Sequence, residues 1–408
     1  MTASRAVIVG AGLGGVQTAH WLRAGGYDGE IVLIGDEPDL PYHRPPLSKH
    51  AHEPDEPLDV LRSEAYYRDH AIDLRRGVTV ESLDVGRRSV TLAGGEAIGW
   101  DYLVLATGAA PRRLAAVPSE LDGVHVLRTA GDARALWARP LAGASIAVVG
   151  AGFVGLEFAA AATVAGARVT VVELADRVLA RVVSPTTSES VDRFHRQLGV
   201  DVRLSEQVVG IDESAGAVTA VTLGSGARIG VDGVLVAVGA VPRVDLAVAA
   251  GLAIDDGIAV DSRLRASAPG VYAIGDCASW RDEHGVRRRL ESIQNAGDQA
   301  AHVAATILGA DRPFSTTPWF WSDQGGLRLQ IAGVPAPGDA VVQVGESTTT
   351  ELTVLHHDHG RLTCVETLGR PGDHLAGRRL VGKHVDVGAV AGGRATLREL
   401  AKSAQAAA

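Results

Sequence analysis

Short runs of consecutive apolar residues, each followed by a glycine-rich turn, dominate much of the hydrophobic pattern. Residues 6–9 and 146–149 are the clearest of these runs. A continuous apolar run of this length predicts a strand that is buried on both faces, as in a parallel sheet. Helix-forming residues and a second apolar run follow each turn. The pattern therefore predicts two strand–turn–helix–strand units of an α/β fold.

Three further runs, at residues 102–105, 234–238 and 271–274, end in small residues and also predict buried strands. The pattern changes after Pro318, where residues 351–355 alternate between polar and apolar as antiparallel strands do. We therefore predict a C-terminal α+β domain over residues 319–408.

Length and charge narrow the class of protein. A chain of 408 residues is too long for one hydrophobic core and predicts two or three domains. The net charge of -9 argues against nucleic acid as a bulk partner. The apolar runs fall short of the roughly 20 residues that span a bilayer. Because the N-terminus lacks the pattern of a secretory signal, a cytoplasmic location is expected.

The chain has two cysteines, Cys277 and Cys364, and no C-x-x-C pair. This argues against the flavin reductases that pass electrons through an active-site disulfide. It also argues against zinc or iron–sulfur ligation by this chain. We therefore predict no metal site here, and a cluster would belong to a partner.

The two glycine-rich turns are complete dinucleotide-binding fingerprints. Residues 10–15 and 150–155 both follow the pattern G-x-G-x-x-G, and the second apolar run of each unit ends near an acid, Asp36 or Glu173. In such units the pyrophosphate sits at the helix N-terminus and the acid accepts from ribose hydroxyls. Two complete units in one chain predict two dinucleotides, a flavin and a nicotinamide, arranged for electron transfer.

The acid of the second unit predicts which nicotinamide cofactor is used. A carboxylate at Glu173 accepts from both ribose hydroxyls of NAD and repels a 2′-phosphate. No arginine follows it immediately, since Arg177 lies four residues further on. We therefore predict NADH rather than NADPH.

A proline-rich segment at residues 41–49 carries two cations, Arg44 and Lys49. Three prolines preclude a regular helix or a sheet interior, so the segment is a rigid loop. Composition alone favours a solvent-facing loop. Asp276, in contrast, directly follows a predicted strand and a glycine, at the sheet edge where α/β folds bind ligands.

These features occur in a familiar order. The two fingerprints are joined by the loop at 44–49 and by short motifs at 106–108, 275–276, 291–292 and 319–324. Together they resemble the FAD-dependent ferredoxin reductases of bacterial oxygenase systems, which are related to apoptosis-inducing factor. The resemblance covers essentially the whole chain.

The resemblance implies a glutathione-reductase-like architecture. It places FAD in a discontinuous domain over residues 1–112 and 243–318, and NADH in an inserted domain over residues 113–242. The C-terminal domain, residues 319–408, would cover the flavin.

The resemblance also implies roles for individual residues. Lys49 would lie beside the flavin N5 and pair with Glu157, and Trp321 would lie near the flavin ring; these three are the expected catalytic group. The expected FAD contacts are Gly10, Gly12, Leu13, Gly14, Gly15, Asp36, Arg44, Lys49, Val80, Ala106, Thr107, Gly108, Arg128, Gly275, Asp276, Ile293 and Trp321. The expected NAD contacts are Gly150, Gly152, Phe153, Val154, Gly155, Glu157, Glu173 and Gly239.

The activity implied is transfer of electrons from NADH through FAD to a 2Fe–2S ferredoxin. That ferredoxin would serve a cytochrome P450 or a ring-hydroxylating dioxygenase. Two alternatives stay open: a different acceptor, either rubredoxin or an oxygenase directly, and an apoptosis-inducing-factor-like NADH-binding redox sensor. An NADH peroxidase or oxidase is disfavoured because the loop near residue 44 has no cysteine.

Two charged groups have weaker interpretations. The basic runs Arg287–Arg289 and Arg378–Arg379 could meet an acidic ferredoxin, but isolated surface charges are more often solvated. His356, His357 and His359 do not predict a metal site, because neighbouring strand residues point to opposite faces.

Overall fold

The computed structural model describes residues 4–49, 57–282 and 285–406, and it divides into two compact units. The first unit comprises Met1–His43, Pro57–Ala110 and Ala240–Thr316. The second comprises Arg44–Glu56, Pro111–Gly239 and Thr317–Ala408. The second unit therefore contains residues 44–49 of the proline-rich loop, residues 113–239 of the segment expected to bind NAD, and the C-terminal segment. The division into three domains stays a prediction.

A parallel sheet forms the centre of the first unit. The first predicted strand, Arg5–Val9, pairs in parallel with Glu30–Ile34 on one side and with Tyr102–Leu105 on the other. These strands are almost entirely buried because helices cover a sheet of this kind on its faces. The full spatial order is Val271–Ala273, Tyr102–Leu105, Arg5–Val9, Glu30–Ile34 and Ile72–Arg75. The helices Leu13–Ala24 and Ile293–Ile307 pack against each other in this unit.

The second unit contains an analogous parallel sheet. Its predicted central strand, Ser145–Val149, pairs with Arg168–Val172 and with Gly233–Val236. The full spatial order is Asp201–Arg203, Arg168–Val172, Ser145–Val149, Gly233–Val236 and Val124–His125. The helices Phe153–Val164 and Pro185–Leu198 follow the first and second of the predicted strands along the chain.

The C-terminal part of the second unit is an antiparallel sheet with helices. The alternating stretch predicted near residue 351 is the strand Leu352–Asp358. The sheet order is Trp319–Gln324, Leu327–Gly333, Arg361–Leu368, Leu352–Asp358 and Ala340–Gln343. The helices are Pro371–Leu380, Val387–Ala391 and Leu397–Ala406. The α/β class with a C-terminal antiparallel domain, as the hydrophobic pattern predicts, is confirmed.

Smaller elements complete the two units. The remaining strands are Val80–Asp84, Ser89–Leu92, Ala97–Gly99, Ala109–Pro111, Val208–Ser214, Ala217–Leu223, Arg228–Gly230, Ala240–Pro242, Ile258–Ala259, Ala278–Arg281 and Arg287–Arg288. The remaining helical segments are Pro45–Ser48, Glu64–Asp69, Ala130–Trp137, Asp245–Ala249 and Gly275–Cys277. Among the described residues, no helix is long and apolar enough to cross a membrane.

A buried carboxylate links the C-terminal sheet to the rest of the second unit. Glu366 is completely buried, and its Oε1 accepts from the backbone N–H of Ser184 at 2.8 Å. The Ser184 hydroxyl donates to Oε2 at 2.7 Å, and Nε2 of His356 lies 2.7 Å from Oε1. Burial by itself raises the pKa of Glu366, but His356 and the hydroxyls of Thr187 and Ser184 outweigh burial and hold that pKa below its ordinary value.

We expect Glu366→Gln to lower the free energy of unfolding at pH 7 by about 1–3 kcal/mol, because buried donors lose a charged acceptor. Since the folded-state pKa is depressed, this stabilisation is fully present above the unfolded pKa of about 4.3 and is lost as the pH falls through the folded pKa. Thermal unfolding of both proteins from pH 7 down to about pH 3 measures the difference, because the loss occurs below the unfolded pKa. The exposed Glu351→Gln is the control. Equal melting temperatures for wild type and Glu366→Gln at pH 7 would contradict the prediction.

Candidate cofactor sites and a buried lysine–glutamate pair

The glycines of the first fingerprint meet two kinds of environment. At Gly10, where φ is +110°, an added Cβ would lie 2.1 Å from the carbonyl oxygen of Ala106. At Gly15 it would lie 1.9 Å from the carbonyl oxygen of Gly10, whereas at Gly12 it would meet no atom of the described residues within 4 Å. The first and third glycines therefore permit close packing of the protein itself, and the second leaves open space beside the turn.

The second fingerprint repeats this arrangement. At Gly150, where φ is +105°, a Cβ would lie 2.5 Å from the carbonyl oxygen of Ala237. At Gly155 it would lie 2.1 Å from the carbonyl oxygen of Gly150, and at Gly152 the nearest atom of the described residues is the Ala237 oxygen at 4.0 Å. An open approach to the middle glycine is what a bound pyrophosphate requires, so the residues of both turns fit a dinucleotide.

The helices that follow the two turns begin without a side-chain cap. Leu13–Ala24 starts after Gly12 and Phe153–Val164 after Gly152, and neither has an acidic residue in its first turn. In contrast, Ser184 caps Pro185–Leu198 through its hydroxyl. Uncapped N–H groups and the positive end of a helix dipole favour an anion at both turns.

The acid of the second unit lies beside its glycine turn. Oε2 of Glu173 accepts from the backbone N–H of Ala151 at 2.7 Å, and Oε1 accepts from that of Ala175 at 2.8 Å. The carboxylate is thereby held in one orientation next to the fingerprint. The Arg177 guanidinium is directed elsewhere: it donates to the carbonyl oxygens of Val183 and Ala180 at 2.9 and 2.6 Å.

The acid of the first unit has a partner that the sequence analysis missed. Asp36, with its side chain half exposed, forms an ion pair with Arg243 at 2.9 Å. The backbone oxygen of Arg243 also accepts from the hydroxyl of Thr107 at 2.7 Å. No local pattern could have indicated Arg243, because 207 residues separate it from Asp36.

A second missed residue, Gln299, supports the Gly275–Asp276 turn. The Gln299 side chain is completely buried, and its Oε1 accepts from the backbone N–H of Gly275 at 2.7 Å. The Gln299 Nε2 is buried without a partner among the described residues. Asp276 itself is half buried in the short helical segment Gly275–Cys277.

The remaining expected FAD contacts fall in both units. Val80 is buried at the start of its strand, Gly108 takes a φ of +70° beside Thr107, and Ile293 begins a helix of the first unit. In the second unit, Arg44 donates to the backbone oxygen of Arg128 at 2.6 Å.

Lys49 and Glu157 form a buried ion pair in the second unit. The Lys49 Nζ lies 2.7 Å from Oε2 of Glu157, whose side chain is 6% exposed, and the Ser48 hydroxyl donates to the same oxygen at 2.5 Å. The loop is anchored by Trp137, whose Nε1 donates to the Leu47 backbone oxygen at 2.9 Å. The expectation of a solvent-facing loop, drawn from composition alone, is therefore wrong for Leu47 to Lys49. An acid 108 residues away supplies the counter-charge.

Aromatic residues lie on the second fingerprint helix and on the strand Trp319–Gln324. Phe153, at the start of the second fingerprint helix, contacts Phe320 with 4.3 Å between ring centroids. On the strand Trp319–Gln324, Trp319 and Trp321 stack at 5.4 Å, and the Arg378 guanidinium lies 4.3 Å from the Trp319 ring. Val154 is exposed, whereas Gly239 takes a φ of +99° where the second unit's sheet ends.

The basic run Arg287–Arg289 does not consist of isolated solvated charges, so that expectation is corrected for these residues. Their acidic partners are Asp255 at 2.7 Å, Asp282 at 2.9 Å, and Glu291 at 2.6 Å, respectively. Of the three histidines, His356 is buried on Glu366 and His359 is almost fully exposed. Within the described residues, no cluster of side chains could hold a metal ion.

Comparison with known proteins covers almost the whole chain. Residues 4–300 match the family model described as pyridine nucleotide-disulphide oxidoreductase, and residues 319–401 match the one described as reductase C-terminal. Rhodocoxin reductase of Rhodococcus erythropolis is 42% identical, over 92% of this chain and 88% of its own length. Rubredoxin-NAD(+) reductase of Pseudomonas putida is also 42% identical, over 90% of this chain and 96% of its own.

A solved structure is similar over its full length. The reductase in the covalent putidaredoxin reductase–putidaredoxin complex superimposes with a TM-score of 0.95 at 34% identity, covering 100% of both chains. Together with the family models, this similarity confirms the predicted glutathione-reductase-like fold.

Proposed function

The chain belongs to the pyridine nucleotide-disulphide oxidoreductase family, and we propose that it is a flavoprotein reductase that passes electrons from NADH through FAD to a 2Fe–2S ferredoxin. The ferredoxin in turn serves an oxygenase. The observation that carries this proposal is the presence, in one chain, of two uncapped glycine turns with the same open middle glycine. They fit two dinucleotides, as the resemblance to ferredoxin reductases requires.

The chain's own residues bind and orient the two cofactors. When bound, FAD would accept a hydride from NADH and release electrons one at a time, and so would couple a two-electron donor to one-electron acceptors. The turns at Gly12 and Gly152 hold the pyrophosphates of FAD and NADH, respectively. Glu173 accepts from the NAD ribose hydroxyls. Lys49 supplies a cation toward the flavin, and Glu157 holds that cation in place.

The remaining site residues are proposed in the same way. The expected contacts to FAD and to NADH given under Sequence analysis are the residues that we propose bind the two cofactors, and Trp321 lies at the flavin. We also propose the three-domain division, in which residues 1–112 and 243–318 bind FAD, residues 113–242 bind NADH, and residues 319–408 cover the flavin. Use of NADH agrees with a cytoplasmic location, which we also propose.

The protein's own thiols take no part in the transfer. Cys277 and Cys364 are both buried and unpaired. Burial raises the pKa of each thiol, that of Cys364 well above its ordinary value. Since the thiolate is the reactive form, burial disfavours both residues as redox nucleophiles. The electron transfer that we propose therefore needs no disulfide of this chain.

The second candidate acceptor is rubredoxin. The observation that favours it is the 42% identity to a rubredoxin-NAD(+) reductase, equal to that with rhodocoxin reductase. The ferredoxin is proposed first because the structure superimposes over its full length on a reductase solved with its putidaredoxin partner.

An anaerobic titration of the purified protein with NADH, followed by visible spectroscopy, tests the proposal. We expect a yellow protein that bleaches with NADH, bleaches much more slowly with NADPH, and recovers its colour when an oxidised 2Fe–2S ferredoxin is added. Recovery with rubredoxin but not with ferredoxin would move the assignment to the second candidate. A long-wavelength band that neither acceptor discharges would overturn the reductase and favour a redox sensor.

A further inference from the structure

A chain of buried hydrogen bonds leads away from Glu157 on the side opposite Lys49. The Ser322 hydroxyl donates to Oε1 of Glu157 at 2.6 Å, and Gln324 Nε2 donates to the Ser322 oxygen at 3.0 Å. Nε2 of His195 lies 2.8 Å from Oε1 of Gln324. Ser322, Gln324 and His195 are all completely buried. Buried polar groups in this number are costly unless they are paired, so their arrangement needs an explanation.

Three elements of the second unit contribute side chains to this series of hydrogen bonds. Ser322 and Gln324 occupy alternate positions of the strand Trp319–Gln324, so their side chains share one face of the strand. Trp321 points to the other face. Glu157 comes from the second fingerprint helix, and His195 from the helix Pro185–Leu198. One strand thus presents an aromatic side chain on one face and a carboxylate-binding hydroxyl on the other.

The hydrogen bonds can run in only one direction when Glu157 is ionised. An ionised carboxylate only accepts hydrogen bonds, so the Ser322 hydroxyl must donate its hydrogen bond to Glu157. The Ser322 oxygen must itself accept from the Gln324 amide. The Gln324 oxygen then faces Nε2 of His195, which must donate. The His195 Nδ1 is buried without a partner among the described residues. Burial, the largest influence, lowers the pKa of His195 and favours the neutral ring. The hydrogen bond to the Gln324 oxygen then requires the ring proton to be on Nε2.

We propose that Ser322 is a positioning residue of the reductase, held as a donor by Gln324 and His195, and that it fixes one oxygen of Glu157 so that the other oxygen stays on Lys49. This inference rests on the proposed function, because it assigns Lys49 to the flavin. The sequence motif at 319–324 contains Ser322 and Gln324, but nothing in the linear pattern gives either residue a role.

The proposal predicts a change at Lys49 when the donor is removed. Oε2 of Glu157 is held by Lys49 and Ser48, and Oε1 accepts from Ser322. Without the Ser322 hydroxyl the carboxylate is no longer held in one orientation, and the Lys49 ammonium loses its fixed position.

The test compares Ser322→Ala with wild type in two measurements on the FAD-loaded protein. The first is the visible spectrum of the oxidised flavin at pH 7 without NADH. The second is the rate of flavin reduction at saturating NADH. We expect Ser322→Ala to shift the absorption maxima of the oxidised flavin and to slow its reduction about 3- to 10-fold, because Lys49 is no longer fixed in place.

Three further variants keep the test decisive. Ser322→Thr retains the hydroxyl and is expected to restore the wild-type spectrum and rate. Gln324→Met removes the amide that holds Ser322 and is expected to change both in the same direction by a smaller amount. Asp323→Asn alters the neighbouring half-exposed acid, which faces Arg328, and is expected to leave them unchanged.

Identical spectra and reduction rates for wild type, Ser322→Ala and Gln324→Met would overturn the positioning role. An effect on the spectrum that Ser322→Thr reproduces in full would also overturn it, because the loss would then come from packing. A wild-type protein that binds FAD but is not reduced by NADH would overturn the proposed function alone, since the flavin spectrum without NADH still reports on Ser322.

Discussion

Replacing Lys49 by alanine is expected to slow the reduction of bound flavin by NADH about 100-fold, while the purified protein stays yellow. Lys49 is 13% exposed and lies 2.7 Å from Glu157, so its ammonium group is held in a fixed place rather than spread over the surface. A fixed cation beside a group that gains negative charge stabilises that charge most effectively where water is excluded. Stopped-flow spectroscopy at saturating NADH measures the step directly.

The controls separate the lost cation from a stranded anion. Lys49→Ala leaves Glu157 buried without its counter-charge, which by itself destabilises a protein. The double variant Lys49→Ala with Glu157→Gln removes both charges and should remain about as slow as Lys49→Ala. The exposed Lys383→Ala should reduce at the wild-type rate. Unchanged flavin reduction in Lys49→Ala, or wild-type rates in the double variant, would contradict the role of the cation.

A valine at the middle glycine of either fingerprint is expected to remove one cofactor and spare the other. Gly12 and Gly152 have extended backbones, with φ of -74° and -81°, that any residue can adopt. In the part of the chain that the structure describes, an added Cβ meets no atom within 4 Å at Gly12 and one, at 4.0 Å, at Gly152. The valine side chain would therefore occupy the approach of the pyrophosphate without disturbing the fold.

The two substitutions should be distinguishable by colour. We expect Gly12→Val to purify colourless, with its affinity for FAD lowered about 100-fold or more. This corresponds to a loss of about 3 kcal/mol in the free energy of binding. Gly152→Val should stay yellow and fail to bleach with NADH. Isothermal titration with FAD and anaerobic titration with NADH measure the two losses.

The third glycine of each fingerprint gives the opposite expectation. Gly15→Ala would place a Cβ 1.9 Å from the carbonyl oxygen of Gly10, so the chain itself has to shift. We expect that variant to lose thermal stability as well as flavin. If Gly12→Val were yellow and fully reducible, the first turn would not be the FAD site.

Much of the fold follows from local pattern. The runs at 6–9 and 146–149 predict the central strands Arg5–Val9 and Ser145–Val149, because a strand covered on both faces has to be apolar along its whole length. The glycines predict the turns, because Gly10 has a φ of +110° and a Cβ at Gly15 would lie 1.9 Å from the Gly10 carbonyl oxygen. Neither position tolerates a side chain without a shift of the backbone. These requirements act within a few residues of the chain and are therefore legible in sequence.

The charges could not be predicted in this way. Composition favours a solvent-facing loop around Lys49 and solvated charges at Arg287–Arg289, yet acids on other elements approach these cations closely. The partner of a charge depends on where distant segments meet, and the sequence alone contains no measure of that distance.

The amino-acid sequence by itself determined the elements, the two dinucleotide turns and the absence of a C-x-x-C pair, since each depends on neighbouring residues. The family resemblance implied the pair of Glu157 with Lys49, 108 residues away, and only the tertiary structure decided that Ser322, 165 residues away, binds the other carboxylate oxygen. A buried carboxylate is stable only when donors surround it, and those donors come from whichever elements the fold brings to it.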